Sequence, residues 1–399
     1  MAILAVNAGS STLKFALHPL QGTQVLPCVL SGTIQGLEPN GRPEMAWREG
    51  TGAHQTQRLP DSDEPFIQAL HALRERLAAG PLRRDIAAVA HRVVHGGARY
   101  QASVVVTPGV LADLTALEPL APLHQPHNLA GIRAFQQAFP TAAQVACFDT
   151  AFHATLPDVE TAFALPQALT EQGVRRYGFH GLSYQYIAGV LQQRSARAQG
   201  RVLMAHLGNG ASLCATRQGQ SCATTMGFSA LDGLMMGTRS GALDPGVLLY
   251  LLEQGWDHDR LQALLYRQSG LLGVSGISAD MRRLRADGSA MAQRAIALFT
   301  RRVVRESGAM VACLGGLDVL AFSGGIGEHD AVLRAEVCDA LTYLGVAMDP
   351  ARNQAVTGAE PMAVHAHGSS VEVWVVPTDE GYIAAQEAAR LLGAASGSC

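Results

Sequence analysis

Two stretches of the chain share one pattern, an apolar strand followed by a short polar turn and a second apolar strand. Ile3–Val6 and Leu13–Leu17 flank the polar residues 7–12, and Val202–Leu207 and Leu213–Ala215 flank the turn GNGAS. Short apolar runs separated by small polar residues are typical of β-hairpins. The repetition predicts two related α/β domains, each opening with a hairpin and facing the other across a cleft.

The remaining apolar pattern predicts strands and helices that alternate along the chain. The segment from 36 to 65 is rich in Gly, Pro and polar residues, which favours short strands and loops. After Asp318–Phe322 the sequence SGGIGEHDAVLRAEV predicts a Gly-rich turn running into a helix. The other predicted strands are Ile86–Val94 and Ala143–Phe148, and the other predicted helices are Phe66–Ala79, Gly109–Leu117 and Asn128–Ala138.

Composition excludes several classes of protein. With 399 residues, 48% apolar and 16% charged, the chain can bury two or three cores. A net charge of -3 provides no basic surface for nucleic acid or an acidic membrane, and no apolar run is long enough to span a bilayer. The seven cysteines include no C-x-x-C pair, so we expect a reducing cytoplasm.

The first hairpin turn, NAGSSTLK at residues 7–14, combines small hydroxyl side chains with Lys14. Such a turn suits phosphate oxygens, although it lacks the second Gly of the P-loop pattern. An ordinary polar hairpin is an equally good interpretation of this fragment alone. The related turn HLGNGAS at 206–212 leaves the same two interpretations open.

Two charged residues lie at predicted strands. Arg92 falls within the apolar strand before His95-Gly96-Gly97, where a buried guanidinium needs an anion. That anion is either a structural Asp or Glu or the carboxylate of a substrate. His91 and His95 are better interpreted as hydrogen-bonded residues at the strand end. Asp149 directly follows Ala143–Phe148, and ligands of open α/β sheets lie at such carboxyl ends.

Three further motifs carry candidate chemistry. LMMGTRSGALDPG at 234–246 holds Arg239 on a Gly-flanked loop, where it could meet a transferring phosphoryl group or form a surface salt bridge. Its DPG segment is interpreted as a turn, and its methionines as packing residues. YGFHG brings His180 close to a ligand or makes it a capping or core residue. In TDEG, Glu380 could cap a helix or bind Mg²⁺.

Taken together these segments resemble the acetate kinase family of the superfamily that contains sugar kinases, heat-shock chaperones and actin. The resemblance covers the whole chain and rests on ten motifs in the family's order. They are NAGSSTLKF, HRVVHGG, LAPLH, FDTAFHATLP, YGFHG, HLGNGAS, GLMMGTRSG, DMR, SGGIGE and TDE. The resemblance implies duplicated actin-like (ribonuclease H-like) α/β domains with an active-site cleft between them. The expected domains are 1–149 plus about 381–399, and 150–380.

The resemblance also implies reversible, direct in-line transfer of the γ-phosphoryl group of ATP to acetate, giving acetyl phosphate and ADP. It assigns catalysis to Asp149, His180 and Arg239, and the substrate carboxylate to Arg92. It places His124 in the cleft, and Val94, Leu123 and Phe179 around the substrate methyl. Mg²⁺, or Mn²⁺ in its place, is expected at Asn7 and Glu380. The implied nucleotide contacts are Ser11, Thr12 and Lys14, residues 206–210 (His206, Leu207, Gly208, Asn209, Gly210), Asp280, Met281 and Arg282, and residues 325–329 (Gly325, Ile326, Gly327, Glu328, His329).

Departures from the family pattern bear on substrate choice and on nucleotide choice. Ala230 stands where the family commonly has a Pro lining the substrate pocket, so propionate should be used more readily than by a typical member. His329 replaces the usual Asn at the end of the third nucleotide segment. The alternatives to an acetate kinase are a propionate kinase and a nucleotide-gated structural or chaperone protein. A homodimer is the expected assembly, with no nucleic-acid or membrane partner.

Overall fold

The chain divides into two compact units that are interleaved in sequence. The first unit is Met1–Ala151 with Asp379–Cys399, and the second is Phe152–Thr378. Glu380, which ends the second domain predicted from sequence, belongs to the first unit. The computed structural model describes residues 1–9, 11–38, 41–78, 85–122 and 124–396.

The first unit is built on a mixed sheet with strand order β6-β5-β4-β2-β1-β7-β9-β8, and β3 pairs with β2. The inner strands β1, β7 and β9 are parallel, whereas β1, β2, β4, β5 and β6 form an antiparallel meander. The strands are β1 (Ala2–Ala8), β2 (Thr12–Gln21), β3 (Gln24–Val25), β4 (Leu30–Gln35), β5 (Glu44–Glu49), β6 (Gln55–Arg58), β7 (Ile86–Val93), β8 (Val104–Val105) and β9 (Ala143–Phe148).

Helices cover this sheet and close its core. The last helix of the chain returns to pack on β1, β2 and β7, which is why the unit includes the C-terminal segment. Leu4, Leu13 and Leu73 are fully buried between the sheet and its helices. The helices of this unit are α1 (Pro65–Ala78), α2 (Pro108–Ala116), α3 (Gln125–Ala138) and α15 (Glu380–Ser396), with a 3₁₀ turn at Glu118–Leu120.

The second unit has a sheet with strand order β12-β11-β10-β13-β15-β14. Its strands are β10 (Arg201–Leu207), β11 (Ala211–Arg217), β12 (Gln220–Thr224), β13 (Val319–Ser323), β14 (Met362–Ala363) and β15 (Glu372–Val375). Its helices are α4 (Asp158–Thr161), α5 (Gln167–Glu171), α6 (Gly181–Arg194), α7 (Pro245–Glu253), α8 (His258–Arg267), α9 (Gly270–Ser275), α10 (Met281–Asp287), α11 (Ala290–Leu314), α12 (Gly324–His329), α13 (Ala331–Ala340) and α14 (Pro350–Gln354). Three 3₁₀ turns lie at Ala151–Thr155, Ala196–Gln199 and Thr342–Leu344.

Both units repeat one arrangement of strands. β1 and β2 form an antiparallel hairpin, and β1 lies parallel to β7, which lies parallel to β9. In the second unit β10 and β11 form the hairpin, and β13 and β15 are the two parallel strands that follow. The two hairpins predicted from the apolar pattern are therefore confirmed, and so is the internal duplication.

Two local predictions were wrong, both at a proline. The segment Asp244-Pro245-Gly246 is the start of α7, because the Asp244 carboxylate accepts from the N–H of Gly246 and Pro245 occupies the first helical turn. Helix α3 begins at Gln125, not at Asn128, and again a proline lies in its first turn. Proline needs no hydrogen-bond partner at that position, so it marks a helix start as often as a loop.

Met235 and Met236 are buried, as expected for packing residues. Among the helices of the described residues, none is long and apolar enough to cross a membrane.

Candidate active site

Three charged side chains of the first unit meet where two parallel strands end. Arg92 lies near the end of β7 and Asp149 immediately follows β9, where its backbone N–H donates to the carbonyl of Val93 at 3.0 Å. Glu380 is the first residue of α15. The parallel pairing of β7 and β9 therefore brings Arg92 and Asp149, distant in sequence, to the same edge of the sheet.

Arg92 and Asp149 form a bidentate ion pair. Arg92 Nε donates to Asp149 Oδ1 at 2.9 Å and Nη2 donates to Oδ2 at 2.6 Å. The Asp149 side chain is only 2% exposed and that of Arg92 is 21% exposed. Burial alone would lower the pKa of Arg92, but the charges of Asp149 and Glu380 outweigh burial and raise the pKa above its ordinary value.

The third nitrogen of Arg92 faces a different partner. Nη1 lies 3.4 Å from Glu380 Oε2, a looser ion pair than the one with Asp149. The structural carboxylate considered from sequence is therefore present, and it is Asp149. One edge of the guanidinium is formed by Nη1 and Nη2. Among the ion pairs described, this edge makes only two contacts, the loose one from Nη1 to Glu380 and the bond from Nη2 to Asp149. That edge is the part of Arg92 most suited to a second carboxylate.

The first hairpin places Asn7 and Lys14 side by side. The two residues are directly opposite each other in the register of β1 and β2, so their side chains lie on the same face of the hairpin. The turn is closed by a bond from the N–H of Gly9 to the carbonyl of Thr12 at 2.8 Å. Thr12 and Ser11 are half-buried, and Lys14 is exposed.

Other predicted residues of the first unit have defined positions. His124 is the residue before α3, and Val94 is held by a bond from its N–H to Asn128 Oδ1 at 3.0 Å. Leu123 lies outside the described residues. His91 pairs with Gln144, and His95 Nδ1 accepts from the N–H of Gly97, which confirms both as hydrogen-bonded residues at the strand end.

In the second unit, His180 has an unusual backbone. It immediately precedes α6 and has φ 58° and ψ 25°, the left-handed conformation that favours Gly. A side chain with Cβ pays roughly 1–2 kcal/mol for this conformation, so neighbouring contacts must stabilise it. The His180 side chain is buried, and its Nδ1 lies 2.8 Å from Ser212 Oγ, which in turn bonds to the Tyr184 hydroxyl.

A second histidine stacks on His180. The rings of His180 and His206 are 4.3 Å apart at an interplanar angle of 28°. His206 Nδ1 lies 2.8 Å from Ser183 Oγ. Because His206 and Ser212 are cross-strand partners in the hairpin of β10 and β11, both contacts of His180 come from one hairpin.

Arg239 converges with His180 on the turn of that hairpin. An added Cβ on Gly210 would lie 2.8 Å from Arg239 Nη2 and 3.2 Å from His180 Nε2. Only a glycine allows the two side chains to approach the backbone so closely. Arg239 Nη1 donates to the carbonyl of Ala230 at 2.6 Å, and its loop is held by a bond from Gly237 N–H to the carbonyl of Asn209. The site therefore joins a guanidinium, an imidazole and a Gly-rich turn.

Helix α12 lies beside the same turn. An added Cβ on Gly324 would clash with the backbone of Leu207, and one on Gly208 would lie 3.8 Å from the Gly325 nitrogen. The N–H of Gly324, which could have met a phosphate, donates instead to Glu328 Oε1 at 2.8 Å. Glu328 also accepts from Thr378 N–H, so this carboxylate stabilises the start of its own helix.

The remaining nucleotide residues from the sequence lie at the ends of α10 and α12. Asp280 caps α10, and its pKa is lowered to about 2 by hydrogen bonds from Arg282, which is itself largely exposed. Met281 is buried. The His329 ring packs on Gly358, where an added Cβ would clash with it.

Comparison with known proteins decides the family. A sequence model of the acetokinase family matches residues 2–386. The chain belongs to the acetokinase family. An acetate kinase of Rhodopseudomonas palustris is 49% identical over 393 residues, covering 98% of each chain.

Solved structures agree with this assignment. Acetate kinase from Porphyromonas gingivalis superposes with a TM-score of 0.87 at 34% identity, covering 98% of this chain and 99% of its own. A propionate kinase from Francisella tularensis gives a TM-score of 0.88 at 34% identity, covering 97% and 98%. The protein has duplicated actin-like α/β domains, as predicted, and it is a phosphotransferase.

The residues that could hold a divalent cation lie in the first unit. Among the described residues, no three His, Cys, Asp or Glu side chains gather as a complete metal cage. Mg²⁺ does not require such a cage, because it retains waters and substrate phosphates and takes only one or two protein oxygens. Glu380 supplies a carboxylate, and Gly381 packs near Ala5 on the strand that carries Asn7. Hard oxygen donors of this kind fit Mg²⁺.

Sequence reasoning missed the residues that orient His180. Ser212 ends the motif HLGNGAS and Tyr184 lies just after YGFHG, but these motifs alone give no reason to separate the two residues from turn and helix residues. The cross-strand pairing of His206 with Ser212, which the predicted hairpin contains, is the one feature that could have indicated Ser212.

Proposed function

We propose that this protein transfers the γ-phosphoryl group of ATP to the carboxylate of acetate, giving acetyl phosphate and ADP. The observation that carries the proposal is the convergence of Arg239 Nη2 and His180 Nε2 on the backbone of Gly210. Phosphoryl transfer depends on positioning and on neutralising the charge of three equatorial oxygens. A guanidinium and an imidazole beside a Gly-rich turn supply both.

The charged residues of the first unit bind the acid that accepts the phosphoryl group. Arg92 binds the substrate carboxylate through the edge formed by Nη1 and Nη2, and Asp149 holds the guanidinium in place through Nε and Nη2. Because Asp149 is almost completely buried, its negative charge keeps Arg92 oriented with little freedom. We also propose Asp149 as the catalytic acid that contacts the reacting groups.

The nucleotide belongs to the second unit and to the first hairpin. Residues 206–210 lie at the turn where Arg239 and His180 meet, so we assign them to the phosphates. Lys14, Ser11 and Thr12 are assigned to the phosphates as well. Residues 280–282 and 325–329 are assigned to the ribose and adenine. Glu328 acts there through the structure of α12, since its carboxylate is bonded to Gly324 and Thr378.

Asn7 and Glu380 are the proposed protein ligands of Mg²⁺. When bound there, the cation would neutralise negative charge on the phosphates. Glu380 lies 3.4 Å from Arg92 Nη1, so its carboxylate is held near the acceptor side of the reaction. Glu380→Gln should raise the Mg²⁺ concentration needed for half-maximal rate, and replacement of Mg²⁺ by Mn²⁺ tests whether either ion suffices.

Acetate is the favoured acceptor, and propionate is the alternative. Phe179, Val94, Leu123 and His124 are the proposed residues around the substrate. Ala230, where a Pro is common in the family, removes bulk, so we expect propionate to be accepted at a measurable rate. One methylene in an apolar pocket changes specificity by about 1–3 kcal/mol, so the preference should be graded.

A hydroxylamine trap tests the reaction. The protein is incubated with ATP, Mg²⁺ and acetate, propionate or butyrate, and acyl phosphate is captured as a coloured hydroxamate. We expect most product with acetate, less with propionate and least with butyrate. ADP formed without hydroxamate from any acid would contradict the proposal and favour a nucleotide-gated structural or chaperone protein.

The proposed assembly is a homodimer, and the proposed location is the cytoplasm. Helix α7 is almost wholly apolar (PGVLLYLLE), yet none of its residues is buried, and Leu249 and Tyr250 are 63% and 58% exposed. A helix that is apolar on all sides requires a partner, and a second copy is the simplest one. Leu249→Asp should convert the dimer to a monomer in analytical ultracentrifugation.

The six cysteines of the described part of the chain are unpaired, in keeping with a reducing compartment.

A further inference from the structure

The segment Tyr177–His180 carries two left-handed residues close together. Gly178 has φ 77° and His180 has φ 58°. The other non-glycine residue with positive φ among those described is Gln218, which lies in the tight turn between β11 and β12. His180 is in no such turn, so contacts from outside its own segment must stabilise its backbone conformation.

His153 makes that contact. Its ring lies against Gly178, where an added Cβ would be 2.5 Å from His153 Cδ2. Its Nε2 lies 2.9 Å from the carbonyl oxygen of Phe179, the residue directly before His180. His153 is itself buried, at 3% exposure. One imidazole therefore packs on one left-handed residue and bonds to the peptide that leads into the other.

The hydrogen bonds of His153 define its protonation. A carbonyl oxygen can only accept, so Nε2 carries the proton. Nδ1 lies 2.8 Å from Ser221 Oγ, and in the neutral ring it accepts from that hydroxyl. Ser221 is fixed in turn, because Thr155 Oγ1 donates to its carbonyl at 2.9 Å. The two contacts thus hold the imidazole in one orientation, with Nε2 as the donor to Phe179.

His153 also touches the chain of groups that fixes the His180 side chain. Its ring meets that of Tyr184 edge to face, with centroids 5.7 Å apart. The Tyr184 hydroxyl bonds to Ser212 Oγ, and Ser212 lies 2.8 Å from His180 Nδ1. The backbone and the imidazole of His180 are therefore both connected to His153.

We propose that His153 is a positioning residue: its imidazole holds the Phe179 carbonyl so that His180 keeps the left-handed backbone that aims Nε2 at Gly210. The inference rests on the proposed role of His180 in phosphoryl transfer. His153 contacts no reacting atom in this account. Its whole effect on turnover passes through His180, and this property makes the proposal testable.

Two substitutions separate the hydrogen bond from the packing. His153→Gln can still donate to the Phe179 carbonyl and accept from Ser221, whereas His153→Leu can do neither. Displacement of a reacting group by about 1 Å costs on the order of 10²-fold in rate, so His153→Leu should lower kcat at least tenfold. His153→Gln should stay within about threefold of the wild type. KM for ATP should change little in both variants.

A double-mutant cycle with His180→Ala is the decisive experiment. We expect His180→Ala to lower kcat by about 10²-fold. This is the typical cost of removing one hydrogen-bond donor that stabilises charge in the transition state. In the His180→Ala background, His153→Leu should then change kcat by less than about twofold. If instead the two effects multiply, or if His153→Leu alone leaves kcat unchanged, the positioning role is overturned. If His180→Ala itself leaves kcat unchanged, the proposed role of His180 fails first.

Controls guard against loss of folding. His365 is a half-buried histidine of the same unit that bonds to Val373, and His365→Leu should leave kcat unchanged. Thermal unfolding is recorded for every variant. Should His153→Leu fail to fold, Ser221→Ala replaces it in the cycle, since it removes the hydroxyl that bonds to His153 Nδ1. If Ser221→Ala lowers kcat by the same factor in the wild type and in the His180→Ala background, the proposal is likewise overturned.

Discussion

Asp149→Asn separates the structural contribution of Asp149 from its proposed catalytic one. The substitution preserves shape but removes the negative charge that faces Arg92. One of the two hydrogen bonds, at 2.9 Å and 2.6 Å, is lost because an amide NH₂ now faces a guanidinium N–H. Arg92 is left with Glu380, at 3.4 Å, as its nearest described carboxylate.

The expected loss of stability follows from burial. Breaking a buried ion pair costs about 3–5 kcal/mol, because one charge remains without its partner. Arg92 is 21% exposed and retains Glu380, so we expect about 2–3 kcal/mol for Asp149→Asn. Domains are stable by about 5–15 kcal/mol, so the variant should remain folded at 25 °C. A residue with a purely structural role would then leave most of the activity intact.

The assay therefore compares unfolding in urea with turnover in the hydroxamate reaction. We expect kcat for Asp149→Asn to fall by about 10³-fold or more while the protein remains folded, because we propose that Asp149 contacts the reacting atoms. Asp318→Asn is the matched control. Asp318 also forms a bidentate pair, with Arg201 at 3.0 Å and 2.6 Å, and it belongs to no proposed site. That control should lose some stability and retain full turnover.

One result would refute this reasoning about Asp149. If Asp149→Asn is folded and its kcat stays within a few-fold of the wild type, Asp149 only supports Arg92 and has no catalytic role. A loss of turnover in Asp318→Asn equal to that in Asp149→Asn would show that the assay reports general damage.

Three further predictions test other parts of the account. Gly210→Ala should lower kcat by about tenfold or more, because its Cβ would lie 2.8 Å from Arg239 Nη2; steady-state kinetics measures this. Ala230→Pro should raise the ratio of kcat/KM for acetate to that for propionate, measured with both acids, by at most about 10²-fold. Burial lowers the pKa of His91 and of His95 to about 4, below the ordinary 6.5. The unfolded state therefore binds more protons below pH 6.5, and stability in urea should fall by about 2 kcal/mol for each residue by pH 5. His91→Gln should reduce that dependence.

The sequence predicted the parts of the fold that depend on local pattern. Both hairpins and the parallel strands β7, β9 and β13 follow from apolar runs bounded by polar turns. The helix starts at Gln125, next to Pro126, and at Pro245 were missed, since proline fits the first helical turn as well as a loop. Pattern alone cannot distinguish the two.

The sequence predicted which types of residue form the site, but it did not predict which residues contact one another there. The buried Arg92 was expected to need an anion, yet only the pairing of β7 with β9 identifies that anion as Asp149. The exposure of Tyr250 could not be foreseen, because an apolar helix ordinarily belongs to a core. The contact of His153 with Phe179 joins segments distant in sequence, so no local sequence pattern predicts it.

The central claim is that the protein moves a phosphoryl group from ATP to acetate. Phosphorus NMR of a mixture of the protein with ATP, Mg²⁺ and acetate measures this directly. We predict an acyl phosphate resonance that grows in equal amount with ADP and is absent when acetate is left out. ADP accumulating with inorganic phosphate, at the same rate with or without acetate, would contradict the account.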